Sequence, residues 1–134
     1  MKREHELEMP NLGELETEIM NVVWERRQAT VQDVLEALSP RRDLAYTTVM
    51  TVMTRLANKG YLLRRKDGRS FIYAPATSRD QVAGAALGQI VDRLYQGAAG
   101  KAIAHLLEIE ESVDEEELDR LEALIRAKRQ ERRR

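Results

Sequence analysis

The 134-residue chain has no cysteine. That excludes a disulfide framework, a thiolate metal site and a cysteine nucleophile, and it accords with a reducing compartment. Histidine is nearly as scarce: His5 and His105 stand a hundred residues apart, too sparse to seed a zinc site. No metal or other cofactor is expected. Long apolar runs are also missing. The first residues, MKREHELE, contain no apolar signal region, and the longest stretch free of charge and strong polarity is Val82 to Gly88. A bilayer-spanning helix needs ~20 residues, so membrane insertion is not expected and the chain reads as soluble and cytoplasmic. No Ser/His/Asp set or helix-borne HExxH is visible, and Gly97-Ala98-Ala99-Gly100 lacks the strand that precedes a phosphate loop. An enzyme is not expected.

Net charge is close to zero, but its distribution is not even. Residues 1–40 carry four bases against nine acids, a net of −5, and residues 80–134 carry nine bases against twelve acids, a net of −3. Between them, residues 41–79 carry nine bases against two acids, a net of +7. Such a segment is either a solvated face rich in arginine or an electrostatic footprint for nucleic acid, and the elements that carry the charge must decide.

Periodicity divides the chain. Leu12, Leu15, Ile19, Val22 and Val23 recur at steps of three and four, predicting a helix over about 13–25 with Asn11 as N-cap. Thr30-Val31-Gln32-Asp33 resembles a capping box opening a second helix with Val31, Val34, Leu35 and Leu38 inward; Pro40 stops it. A third helix is predicted from about Ala45 to Asn58, with Val49, Met53 and Leu56 inward and Gly60 as its left-handed C-terminal residue. After Gly60 the period changes. Two β-prone runs, 61–66 and 69–74, flank Asp67-Gly68, the strongest two-residue hairpin signal, and Pro75 ends the second. Three helices and a basic hairpin, mainly α with a small β wing, are the winged form of the helix-turn-helix.

The third helix is rich in threonine, a mediocre helix former that costs a few tenths of a kcal/mol each relative to alanine. Thr47, Thr48, Thr51, Thr54 and Arg55 fall opposite the apolar stripe. A recognition helix gives a reason for them: the hydroxyl bonds a phosphate or base edge, and the methyl meets the thymine methyl in the major groove. Arg64, Arg65, Lys66 and Arg69 place a basic wing beside that helix, and together these features favour duplex DNA. Tyr46 either lies over a phosphate at the helix start or folds beneath it. The alternative is a winged domain that docks protein without reading DNA, because fold alone does not settle function.

LGELETEIMNVVW (12–24), AYTTVMTVMTRLANKGYLLRRKDGRSFIYAP (45–75) and the acidic helical tail together resemble the penicillinase-repressor family, the BlaI/MecI group of bacterial winged-helix repressors. The resemblance spans most of the chain. It implies a homodimeric transcriptional repressor on a palindromic operator, with an N-terminal DNA-binding domain (1–76) and a C-terminal helical dimerisation domain (77–134). Thr48 and Thr51 match the family's recognition-helix threonines, and Arg55, Lys59 and the Asp67-Gly68-Arg69 wing tip match its basic positions. Thr47 and Met50 stand where methicillin-resistance repressors tend to be basic, which points to a different operator. In the penicillinase branch release follows cleavage of an Asn-Phe bond ordered by a membrane sensor. The counterpart here, Ala104-His105-Leu106-Leu107, has no such bond, and the cysteine cluster of copper-responsive relatives is missing too. An upstream sensor or protease is therefore not specified by the sequence.

The C-terminal part has its own pattern. Ser78-Arg79-Asp80-Gln81 reads as a capping box opening a helix to about Leu94, with Leu87, Ile90, Val91 and Leu94 on its apolar edge. Gly97 to Gly100 reads as a break, followed by a short helix carrying Ala102, Ile103, Leu106 and Leu107. Ser112-Val113-Asp114-Glu115 reads as another capping box, and Leu118, Leu121 and Ile125 stripe a last helix with acids at its head and bases at its tail, matching the macrodipole. Three thin stripes need a partner, and a second copy is the simplest; folding back on the winged domain is the other solution. Trp24 is expected to pack at the junction with the second helix and Tyr95 at the rim of the dimer core, with both histidines structural.

Overall fold

The computed structural model describes residues 12–133; His5 and the N-cap expected at Asn11 lie outside the described residues. Helix α1 (Glu14–Arg26) is entered through Gly13, whose N–H donates to the Glu16 carboxylate at 3.0 Å while its carbonyl accepts the Thr17 hydroxyl at 2.9 Å. It ends at Arg27, which is left-handed at φ 70° and donates its N–H to the Val23 carbonyl. Helix α2 (Val31–Leu38) opens with the expected reciprocal cap: Thr30 Oγ1 accepts from the Asp33 N–H at 3.1 Å, and Asp33 accepts from the Thr30 N–H at 3.0 Å. Helix α3 (Tyr46–Asn58) starts at Ala45, which has no side chain able to cap.

The three stripes meet in one core. Ile19, Met20 and Val23 of α1 pack with Val31, Val34 and Leu38 of α2. From α3 come Val49, Val52, Met53 and Leu56. Val52 joins the expected three because it lies three residues after Val49 and widens the buried arc. Gly60 has φ +91°, where only glycine sits without strain, and the Tyr61 N–H returns to the Leu56 carbonyl at 2.9 Å.

Strands β1 (Leu62–Asp67) and β2 (Ser70–Pro75) pair antiparallel from Leu62↔Pro75 to Asp67↔Ser70. The two-residue turn is therefore Gly68-Arg69, one residue later than the Asp67-Gly68 expected from the dipeptide. Gly68 has φ +64° and Arg69 has no positive φ, the pattern of a type II′ turn with glycine first. At the inner end of the hairpin, Tyr73 exchanges two 2.9 Å backbone hydrogen bonds with Ala29, and Leu62 and Tyr73 are buried. From Leu63 through Phe71 every residue is exposed. The outer two thirds of the hairpin is thus a wing standing off the body.

Helix α4 (Arg79–Leu94) begins as expected, with Ser78 and Gln81 capping each other at 3.0 Å in both directions. Its Val82 is buried in the core of the winged body. That is why the compact units part between Ile90 and Val91 and not after residue 76: the start of α4 packs with the first unit. Trp24 also departs from expectation. Its indole N–H donates to the Thr77 carbonyl at 2.8 Å and its ring carries the Arg79 guanidinium at 5.4 Å, so it secures the segment leading into α4 instead of α2.

In the second unit, the chain breaks at Gln96 and Gly97, both at positive φ, with the Gly97 N–H on the Val91 carbonyl at 3.0 Å. Gly100, expected in the break, lies inside α5 (Ala99–Ile109). Tyr95 Oη and His105 Nδ1 share a 2.7 Å hydrogen bond. Helix α6 (Glu115–Arg132) is capped by Asp114, which accepts from the Glu117 N–H at 2.8 Å. Ser112, expected to cap, bonds the Glu110 carboxylate instead. Asp at the N-cap wins because three glutamates follow it in the first turn, where the helix dipole favours them.

Candidate nucleic-acid interface

Burial of Val49, Val52, Met53 and Leu56 fixes the roll of α3 and leaves its other side to solvent. Tyr46, Thr47, Thr48, Met50, Thr51 and Arg55 are exposed there, and Thr54 is half-buried. Tyr46, at 47 % exposure, does not fold beneath the helix. The helix has no acidic residue anywhere along its length, so nothing on this face repels an anion.

The wing adds charge. Arg64, Arg65, Lys66, Arg69 and the Asp67 between them are all exposed. Arg64 sits opposite Tyr73 in the register, which puts Phe71 on its diagonal, and its guanidinium lies 4.6 Å from the Phe71 ring centroid. The negative face of the ring attracts the cation and restrains the side chain without neutralising it. Phe71 escapes a sequence reading because the diagonal pair exists only once the register is known. Among the described residues Arg55, Arg65 and Arg69 join no ion pair.

Two other bases of the positive segment are engaged by α1. Lys59 Nζ lies 3.7 Å from Glu16 Oε2, and both side chains are mostly covered. Lys59, expected at the DNA surface by resemblance, is thus at least shared with a carboxylate of its own chain. Arg42, in the turn between α2 and α3, donates from Nε to Glu18 Oε2 at 2.7 Å and reaches Glu14 Oε1 at 3.5 Å. Behind these pairs Tyr61 is fully buried with its hydroxyl unpartnered. Burial, and then the negative charge of Glu16, push its pKa above the ordinary 10.0. Among the described residues no three imidazole or carboxylate side chains converge as a metal site would require.

The expected dimerisation residues are exposed in the single chain. Leu87, Ile90 and Leu94 on α4, Ile103 and Leu106 on α5, and Leu121 and Ile125 on α6 all stand open to solvent, while Leu118 is half-buried. Leu107, Ile109 and Leu124 join them, and helical spacing from the named residues could have found all three.

The family model described as penicillinase repressor matches residues 12–127. The chain belongs to the penicillinase repressor family. It is 44 % identical over 115 residues to the transcriptional regulator BlaI of Mycobacterium tuberculosis, covering 84 % of this chain and 81 % of that protein. It is 27 % identical over 108 residues to the penicillinase repressor of Bacillus licheniformis, covering 81 % and 84 % respectively. Among solved structures, the monomeric form of Bacillus licheniformis BlaI in complex with the blaP half-operator is 30 % identical, with a TM-score of 0.47 over 55 % of this chain and 90 % of that one. As in other members of the penicillinase repressor family, the matched region takes in the winged body and most of the helical tail.

Proposed function

We propose that this family member is a DNA-binding transcriptional repressor that occupies a palindromic operator as a homodimer in the cytoplasm. The observation that carries the reading is the acid-free face of α3, with Thr47, Thr48, Thr51 and Arg55 exposed beside a wing whose Arg65 and Arg69 are unpaired among the described residues. Threonines at the front of α3 read base edges and thymine methyls in the major groove, and the wing tracks the phosphates. Because Ala45 cannot cap α3, the first N–H groups of that helix are offered to a phosphate, with the dipole favouring the anion.

Such a protein represses by occupancy and needs no chemistry of its own. The curated relatives are named as a transcriptional regulator and a repressor, in keeping with this role. A second copy covers the exposed leucines and isoleucines of the C-terminal helices, and the two winged bodies then read half-sites roughly 10 base pairs, or a multiple of that, apart. The test is selection from random duplexes, followed by a gel-shift salt titration of the selected sequence. A palindrome bound with a steep salt dependence is expected. Absence of binding to any duplex in low salt would sink the assignment in favour of a protein-docking module.

A further inference from the structure

Arg42 is one of the nine bases in the positive segment, yet its placement differs from that of the exposed wing arginines. Its side chain is two thirds covered, and both its partners come from α1: Glu18 at 2.7 Å, itself only 16 % exposed, and Glu14 at 3.5 Å. The turn that carries it is short of other restraints. Arg41 and Arg42 donate their N–H groups to the Leu38 carbonyl, Leu44 packs partly into the core, and Ala45 ends the turn with no side-chain cap. Three residues after Arg42, α3 begins, and its first two turns carry Thr47, Thr48 and Thr51.

We infer that Arg42 is a positioning residue: Glu18 and Glu14 hold it to α1, and through it fix where the reading end of α3 stands, so that it sets operator specificity and contributes little charge to DNA affinity. The inference rests on the DNA-binding reading above. A planar guanidinium suits this task because it spans two carboxylates one helical turn apart, whereas an ammonium is a single point. Base-edge hydrogen bonds weaken steeply with misalignment, whereas phosphate attraction does not. Loosening the clamp therefore affects the two kinds of binding differently.

Glu18→Gln makes the test sharp, because charge and position pull in opposite directions. Removing a negative charge, by electrostatics alone, strengthens binding to every duplex. If Arg42 positions α3, specific affinity falls, random-duplex affinity holds or rises, and the ratio between them drops about tenfold, a loss of the size carried by one good base contact. Arg42→Lys, which keeps the charge and guards against a folding failure of the first variant, is expected to lower the same ratio with an unchanged salt slope. The measurement is a salt titration of wild type and both variants on a duplex selected by wild type and on a random one. A ratio equal to wild type's in both variants overturns the inference. So does tighter binding of Glu18→Gln with a slope steeper by about one, which marks Arg42 as a freed phosphate contact. If wild type selects no duplex, this inference and the proposed function fall together; if wild type is specific and the ratios do not move, only this inference falls.

Discussion

Thr48 and Thr51 lie three residues apart on the open side of α3 and are buried by nothing in their own chain. Replacing either with alanine is expected to weaken operator binding by about 1–3 kcal/mol, while the free protein becomes more stable by a few tenths of a kcal/mol through helix propensity. Opposite signs for binding and folding identify a residue kept for recognition. Arg65→Gln and Arg69→Gln, by contrast, are expected to weaken all duplexes alike and to flatten the salt dependence by about one unit per lost phosphate contact. Gel shifts on operator and random duplexes separate the two classes. Tyr61 answers to folding alone. Its hydroxyl is buried without a partner and its pKa is raised by burial and by Glu16, so the folded state resists an ionisation that the unfolded chain undergoes near pH 10. The associated stability is fully present below that pH and is lost as pH climbs toward the folded value. Tyr61→Phe is expected to be neutral or up to about 1 kcal/mol stabilising at pH 7, and denaturant unfolding at pH 7 and pH 10.5 should show a smaller alkaline loss than in wild type. An equal alkaline loss would place the titration elsewhere.

Elements with a strong period were legible in the sequence, and junctions fixed by a single partner were not. α1, α2 and α3 could be read because their apolar residues repeat at three and four, and the α2 cap because Thr30 and Asp33 satisfy each other locally. Trp24 misled because its partner, the Thr77 carbonyl, lies 53 residues away and no periodicity announces such a bond. The same holds for the Ala29 bridge to Tyr73 that ties the wing to the body, and for the Arg42 and Lys59 pairs within the candidate interface. The exposed side of α3 was readable from spacing; which bases were already spoken for was not. The wing turn shows how one residue of register matters. With Asp67 paired to Ser70, Gly68 takes the first central position at φ +64°, where a side chain finds open space but a strained backbone. Gly68→Ala is therefore expected to cost about 1–2 kcal/mol by strain alone, read from the urea midpoint. A type I′ turn centred on Asp67-Gly68 would put the strain on both positions, so Asp67→Ala, expected here to be nearly neutral, discriminates between the two.

At the level of the whole molecule, two facts stand side by side. One unit holds nearly every buried residue, while in the other, among the described residues, only Ala102 is buried. A unit with so little core of its own cannot offset the entropy of ordering its helices. On the proposed dimer that deficit is met by a second copy, and each chain's operator affinity then depends on the other through effective concentration. Leu106 is the place to test this, since it is exposed on α5 with Ile103 one turn before it and Leu107 beside it. Leu106→Glu puts a charge where apolar surface must be desolvated, and such a charge is strongly disfavoured when buried unpaired. Sedimentation is expected to show a monomer at concentrations where wild type is a dimer, with operator affinity down by about a hundredfold. The lone tryptophan, Trp24, belongs to the first unit, so its fluorescence should stay native and show that the winged body remains folded. A variant that sediments and binds as wild type does would mean that α5 is covered by something other than a second copy, and the half-site geometry would then have to come from another surface.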